Sequence, residues 1–389
     1  MSIPHQKHPP LKRPNYGRFH RNEYAIIGTP CGEIQRLARQ LTQALSSSYR
    51  VAYVDADHAH ADDEPQPIND TILGLGGHLE YTDKIRFHRF DTLQELQPFQ
   101  FRQRLHSADV VLVNGNHFKA KQQIVVIDPR KEKSLAKKLD RLTDVCLILL
   151  QEQAKDIPDY IKQHLPHYEQ IPTFAFAKHV SVTEYILRDL QKARPVLKGL
   201  VLAGGKSQRM GEDKGALSYH GKPQREYAAD LLQPFCEQVY ISTRPQQSIE
   251  SKYTCLVDSF VGLGPFGAIL SAFRREPDTA WLVVACDLPF VDATTLAYLV
   301  QHRNASRVAT AFHNSETGFP EPLVTIWEPR SYPSLLQFLA QGYGCPRKVL
   351  INTEIEELKL EDESVLKNVN TKKEREATLQ TLQGDKLKK

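Results

Sequence analysis

Leu202-Ala-Gly-Gly-Lys-Ser-Gln-Arg-Met-Gly-Glu-Asp-Lys-Gly-Ala-Leu217 follows directly on the apolar stretch Val196-Leu-Lys-Gly-Leu-Val201. Together they read as a buried strand that stops at two glycines and opens into a basic loop. Gly204 and Gly205 carry no Cβ, so backbone N–H groups there can approach phosphate oxygens closely. Lys206, Arg209 and Lys214 add positive charge where negative charge builds up in phosphoryl or nucleotidyl transfer. The pattern is not a Walker A loop, because Lys206 follows the glycine pair at once and no GxxxxGK[ST] can be read through it.

Further apolar runs downstream also end in acids or glycines. Val257-Asp258 closes one run, and Gly264-Pro-Phe-Gly-Ala-Ile269 forms a glycine loop. Trp281-Leu-Val-Val-Ala-Cys-Asp-Leu-Pro-Phe290 reads as a buried strand ending in a carboxylate and a proline. Asp287 would suit Mg²⁺, which favours a hard carboxylate beside phosphate oxygens. Asp258 and Asp287 both fall at carboxyl ends of expected strands, where open α/β sheets bind ligands.

These segments, with Gly221-Lys-Pro223, Pro320-Glu-Pro-Leu323 and Asn368-Val-Asn-Thr371, resemble in order the MobA-like nucleotidyltransferases, whose signature is L-A-G-G-x-S-x-R-M-G-x-D-K. The resemblance covers residues 196–384 and is nearest to the molybdenum cofactor guanylyltransferases. It implies a Rossmann-like fold of the nucleotide-diphospho-sugar transferase type and Mg²⁺-dependent transfer of GMP from GTP to molybdopterin, or molybdenum-molybdopterin, with release of pyrophosphate. By the same resemblance Lys214, Asp287 and Arg209 are catalytic. Leu202, Ala203, Gly204, Gly205, Lys214, Asp258 and Asp287 bind nucleotide, Asp287 holds the metal, and Arg347 and Asn370 meet the acceptor. The glycine pair favours GTP over CTP, since cytidylyl relatives usually carry L-A-A-G and the missing methyl leaves room for a purine.

Composition fits that reading. The chain has 389 residues, 41% hydrophobic and 25% charged, which is ordinary for a globular protein long enough for two cores. A net charge of +4, with no basic stretch interleaved with aromatics, gives no support for nucleic acid. No apolar run approaches about 18 residues, so no membrane span or signal segment is expected, and a cytoplasmic location follows. Six scattered cysteines without a C-x-x-C pair read mostly as buried reduced thiols.

Strands expected near 24–27, 49–54, 109–113, 124–127 and 145–150 alternate with helical patterns at 33–45, 131–142, 156–164 and 181–192. A second alternation runs through strands near 197–203, 238–243, 281–286, 307–312 and 322–327. Two α/β domains follow, each a mostly parallel sheet with helices on both faces. Residues 1–21 read as a disordered basic lead, 22–194 as the first domain, 195–384 as the second and 385–389 as a frayed tail.

In the first domain Ile26-Ile-Gly-Thr-Pro-Cys-Gly-Glu-Ile34 stands where a P-loop would, but Glu33 lies where a lysine is needed. A carboxylate there repels phosphate. The order of elements resembles the P-loop adapter of molybdopterin-guanine dinucleotide biosynthesis, with Asn114 in place of an acid, so the expectation is a binding fold without GTP hydrolysis. Asp55, Asp57, His58, His60, Asp62 and Asp63 have the composition of a metal site or of a solvated acidic loop. Three functions remain open: the guanylyltransferase, a nucleotidyltransferase with another acceptor (a CTP-dependent pterin or a sugar phosphate), and an adapter that carries cofactor without catalysis. Apo-molybdoenzymes or their chaperones are the expected protein partners.

Overall fold

A computed structural model describes residues 11–57, 71–204 and 213–386, with the side chains of 384–386 left out. It divides into two compact units, Tyr16–Ala193 and Arg194–Lys389, the latter joined by the segment up to Asn15.

The first unit carries a parallel sheet built from β1 (Glu23–Ile27), β2 (Val51–Val54), β5 (Val110–Asn114), β6 (Gln122–Ile127), β7 (Val145–Leu150) and β8 (Thr173–Ala175), in the order β2-β5-β1-β6-β7-β8. A separate antiparallel hairpin joins β3 (Leu79–Asp83) to β4 (His88–Thr92). Strand periodicity of two sends alternate residues of β1 to opposite faces. Tyr24 and Ile26 pack with Ile34, Leu37 and Leu41 of helix Cys31–Leu45 and with Val182 and Ile186 of helix His179–Lys192. On the other face Ile27 joins Leu135, Leu142 and Ile161, while Ala25 joins Phe19.

Two expectations change here. The disordered lead read through residue 21 does not hold for its last residues. Phe19 is fully buried, and the buried Glu23 carboxylate accepts from the backbone N–H groups of Arg18, Phe19, His20 and Lys121 at 2.6–2.8 Å. Residues 1–10 lie outside the described residues. The single helix read over 131–142 is broken into Pro129–Lys131, Glu132–Ala136 and Leu139–Arg141. Lys138 Nζ donates to Asn116 O at 3.0 Å and Arg141 Nη1 to Gly115 O at 2.8 Å, so tertiary bonds override the local helical pattern.

The second unit is a mixed sheet, β11-β10-β9-β12-β14-β13-β15. β9 (Leu197–Leu202), β10 (Val239–Thr243), β11 (Thr254–Val257) and β12 (Ala280–Ala285) run parallel. β14 (Phe319–Trp327) is antiparallel to both β12 and β13 (Ala309–Asn314), and β15 (Glu356–Leu358) runs parallel to β13. The chain leaves β9 toward β10 and β11, then crosses back to pair β12 on the other side of β9. That reversal opens a crevice at the strands' carboxyl ends. Trp281 and Trp327 face each other in register and are fully buried in one continuous core.

The six cysteines are free. Cys146, Cys236 and Cys286 are buried, Cys31 and Cys255 half-buried, and Cys345 exposed in the turn before helix Pro346–Ile351. Among the described residues no helix is long and apolar enough to cross a membrane.

Candidate active site

The crevice between the ends of β9 to β12 holds a cleft of about 740 Å³. Leu202, Ala203, Gly204, Lys214, Asp258, Asp287 and Asn370 all line it. Gly205 and Arg209, expected in the same site, lie outside the described residues. Arg347 does not line the cleft, and stands instead beside Glu321 on β14.

Asp287 comes after the fully buried β12, and Asp258 directly after the largely exposed edge strand β11. The Asp287 backbone carbonyl accepts from Val369 N–H at 2.8 Å, which draws residues 368–370 over the cleft. Lys214 Nζ lies 2.7 Å from Asn370 Oδ1 and 3.4 Å from Asp287 Oδ2. Asn370, expected at the acceptor, thus has its side-chain oxygen on Lys214.

Lys214 is itself fixed from below. It opens a short 3₁₀ turn, Lys214–Ala216, capped by Asp213, whose Oδ1 accepts from Gly215 N–H at 2.9 Å. Arg225 Nη1 pairs with Asp213 Oδ2 at 3.1 Å. Gln247 Nε2 reaches Ala203 O at 3.3 Å and Asp213 Oδ2 at 3.4 Å, tying the ends of β9 and the basic loop to the segment after β10. Asp213 stands in the signature window without an assigned role, whereas Arg225 and Gln247 carried no expectation from sequence, since nothing in their spacing distinguishes them from solvated polar residues.

Asp258 sits differently. Burial pushes its carboxyl up to about 6, against one hydrogen bond at 2.8 Å from Ser242 Oγ at the end of β10. Gly204 lies beside it: a Cβ there would meet Arg244 Cγ and Asp258 Oδ2 at 3.5 Å each, ordinary van der Waals contact. The fold therefore does not require glycine at 204, and the space left by the missing methyl opens into the cleft.

The donor set fits a magnesium ion. Asp287 Oδ1 is buried with no hydrogen-bond partner among the described residues, while Oδ2 is taken by Lys214. Among the described residues no group of three or more acidic, histidine or cysteine side chains gathers as a metal cage. Mg²⁺ ordinarily takes one or two carboxylates and completes its shell with water and substrate phosphates, so one orphaned carboxylate oxygen suits it.

Glu321, quoted in the Pro320–Leu323 segment without a role, is buried with its side chain 3.6 Å from Arg347 Nη2. Burial raises its carboxyl; Arg347 opposes that shift, and the nearby charge of Asp287 adds to it.

In the first unit the loop at 28–32 is tied to its own chain. Gly28 has φ +101°, and a Cβ there would come within 2.3 Å of Val126 O. Thr29 Oγ1 donates to Asp128 Oδ2 at 2.6 Å, and Asn116 Nδ2 donates to Thr29 O at 2.8 Å. Asn114 Nδ2 donates to Asp55 at 2.7 Å. Burial works against the Asp55 charge, but bonds from Tyr53, Gln35, Ala56 and Asn114 together hold its carboxyl below the usual range. An acid at 114 would repel Asp55, which accounts for the asparagine. Of the acidic and histidine cluster read after β2, His58, His60, Asp62 and Asp63 lie outside the described residues.

Residues 199–357 match the MobA-like NTP transferase domain. A molybdenum cofactor biosynthesis bifunctional protein of Synechocystis is 37% identical over 179 residues, covering 45% of this chain and 51% of the relative. This chain thus spans about half the length of that relative. A molybdenum cofactor guanylyltransferase of Pseudomonas putida is 30% identical over 188 residues, covering 46% of this chain and 95% of the relative. The crystal structure of molybdopterin-guanine dinucleotide biosynthesis protein A from Archaeoglobus fulgidus aligns with 48% of this chain and 99% of its own, at 22% identity and a TM-score of 0.42. Through its second unit, the chain belongs to the MobA-like NTP transferase family.

Proposed function

We propose that the second unit transfers GMP from GTP to molybdenum-bound molybdopterin, forming the guanine dinucleotide cofactor and releasing pyrophosphate. The observation that carries this reading is the convergence of Lys214, Asp287 and Asp258 in one cleft at the carboxyl ends of parallel strands, in a chain whose relatives bear the guanylyltransferase name.

A terminal phosphate oxygen of the acceptor attacks the α-phosphorus of GTP, a new P–O bond forms, and the bond to the β-phosphate oxygen breaks. Such transfer needs positioning and charge neutralisation more than covalent help. Asp287 Oδ1 would hold Mg²⁺, which when bound supplies positive charge to the phosphate oxygens. Lys214, steadied by Asn370 and the capped turn at Asp213, sets an ammonium where negative charge grows on the leaving group. Arg209 of the basic loop adds a second charge in this reading. Leu202, Ala203, Gly204 and Gly205 face the nucleotide with backbone, and Asp258 reads its ribose or base. Arg347 meets the acceptor's phosphate.

The first unit we read as a degenerate adapter of the P-loop type, without hydrolysis, that places cofactor or an apo-molybdoenzyme and its chaperone beside the transferase. A cytoplasmic site of action follows from that role.

The test incubates the purified chain with Mg²⁺, molybdopterin and either GTP or CTP, and follows nucleotide attachment and pyrophosphate release. Product with GTP alone is expected. Product with CTP alone would overturn the choice of base, and nucleotide binding without product would overturn the choice of acceptor.

A further inference from the structure

We propose that Glu321 is a positioning residue of the acceptor side: its buried carboxylate holds the Arg347 guanidinium where the acceptor's phosphate enters, at the Asp287 end of the cleft. The inference rests on the transferase reading above and assigns to its acceptor half a residue that neither touches nucleotide nor lines the cleft.

A carboxylate that is 1% exposed loses almost all its hydration, and an apolar side chain would pack the same space without that loss. Its partners explain what the carboxylate does. Leu323 N–H donates to Oε1 at 3.1 Å, and Asn314 Nδ2 donates to Oε2 at 3.3 Å. These two neutral donors, one on its own strand and one on β13, fix the headgroup.

Arg347 is the charged neighbour, and it is not saturated by the pair. Its Nη2 stands 3.6 Å from Oε2, within ion-pair range but beyond a good hydrogen bond, and its Nε is buried without a partner among the described residues. A guanidinium carries five N–H donors in a rigid fork that matches the oxygens of phosphate. Glu321 therefore anchors the charge of Arg347 while leaving donors unspent. Helix Pro346–Ile351 brings Arg347 to this place because Val349 and Leu350 are buried in the core. The antiparallel register that pairs Val284 with Val324 brings Asp287 and Glu321 to the same end of β12 and β14, and Leu323, which donates to Glu321, lines the cleft with Asp287, so the guanidinium is held near the metal end. An in-line attack on the α-phosphorus requires the acceptor's phosphate there.

A pair that only glued the helix to β14 would have the same burial, so the test must read function and fold separately. Glu321→Gln keeps the shape and removes the charge; Arg347→Gln removes the fork. Steady-state kinetics on the full chain should show each single variant raising the acceptor KM about tenfold, with kcat and the KM for GTP within about twofold. The double variant should be no worse than Arg347→Gln alone, because the two residues act on one contact. An unchanged acceptor KM in Glu321→Gln would overturn the proposal. So would a parallel rise in the KM for GTP with a falling Tm, which marks general loosening. If the unaltered chain makes no product with molybdopterin, the transferase reading fails by itself. The inference is then decided by calorimetric titration with inorganic phosphate: about tenfold weaker binding in both single variants upholds it, and unchanged binding overturns it.

Discussion

At Asp258 the chain holds a carboxyl that burial has pushed up to about 6, and the consequence for stability has a definite sign. The folded chain binds this proton more readily than the unfolded chain, so protonation favours the fold. Stability from this group is therefore highest below the ordinary value of 3.8 and declines as pH rises toward 6. Asp258→Asn should raise stability by about 1 kcal/mol at pH 7.5, the solvent-facing cleft moderating the full shift, and give no gain at pH 3.5. The same variant should weaken GTP binding about tenfold or more. Thermal melts across pH and a nucleotide titration check both halves, and a variant destabilised at pH 7.5 would contradict the account. Asp287→Asn should lower turnover by about 10³-fold with Tm nearly unchanged, because its ion pair with Lys214 is long, at 3.4 Å, and partly exposed. Retained turnover would remove the metal assignment. Gly204→Ala should fold normally, since its methyl meets only ordinary contacts, yet raise the KM for GTP about tenfold. A normal KM would show that the space beside Asp258 is not used by the purine.

The elements show where side-chain chemistry becomes precise. Lys214 is useful only because a turn of three residues presents it, and that turn depends on the Asp213 cap and the Arg225 brace. Asp213→Ala should cost about 1 kcal/mol of stability as a lost cap. It should also lower kcat about tenfold while leaving the acceptor KM alone, which stopped-flow or steady-state rates can read. The strands that carry this site were legible in the sequence because they are short apolar runs ending in glycine or acid. The brace was not legible, for Arg225 and Gln247 act through contacts made only after β9 and β10 pair. Other elements escaped for the opposite reason. The hairpin of β3 and β4 leaves Tyr81, Phe87 and Phe90 exposed, and its tip turns through Ile85 at φ +68°, a conformation that a β-branched residue rarely adopts. Neither a buried face nor an Asn-Gly turn announces such a hairpin.

Over the whole molecule, alternation of apolar runs with amphipathic helices was enough to give two α/β sheets, because parallel strands buried on both faces leave a plain apolar signature. The antiparallel β14 was less visible, since direction is set by the connection and not by composition. Asn370 could be found from its resemblance but not its contact, as Lys214 lies 156 residues away in the chain. Each unit has its own core, so limited proteolysis near Ala193 and Arg194 should release two fragments that remain folded by circular dichroism. Loss of all ellipticity in either fragment would contradict independent cores. The second unit's early strap adds a matter of timing. Lys12 reaches Glu276, and Asn15 N–H donates to Asp278 Oδ2 at 2.9 Å, across gaps of 264 and 263 positions. On the ribosome these residues emerge ahead of both sheets, yet their docking residues Glu276 and Asp278 are made only after the whole Tyr16–Ala193 unit and then β9, β10 and β11 have been synthesised. The strap must wait for its partners while an entire other unit is made between them.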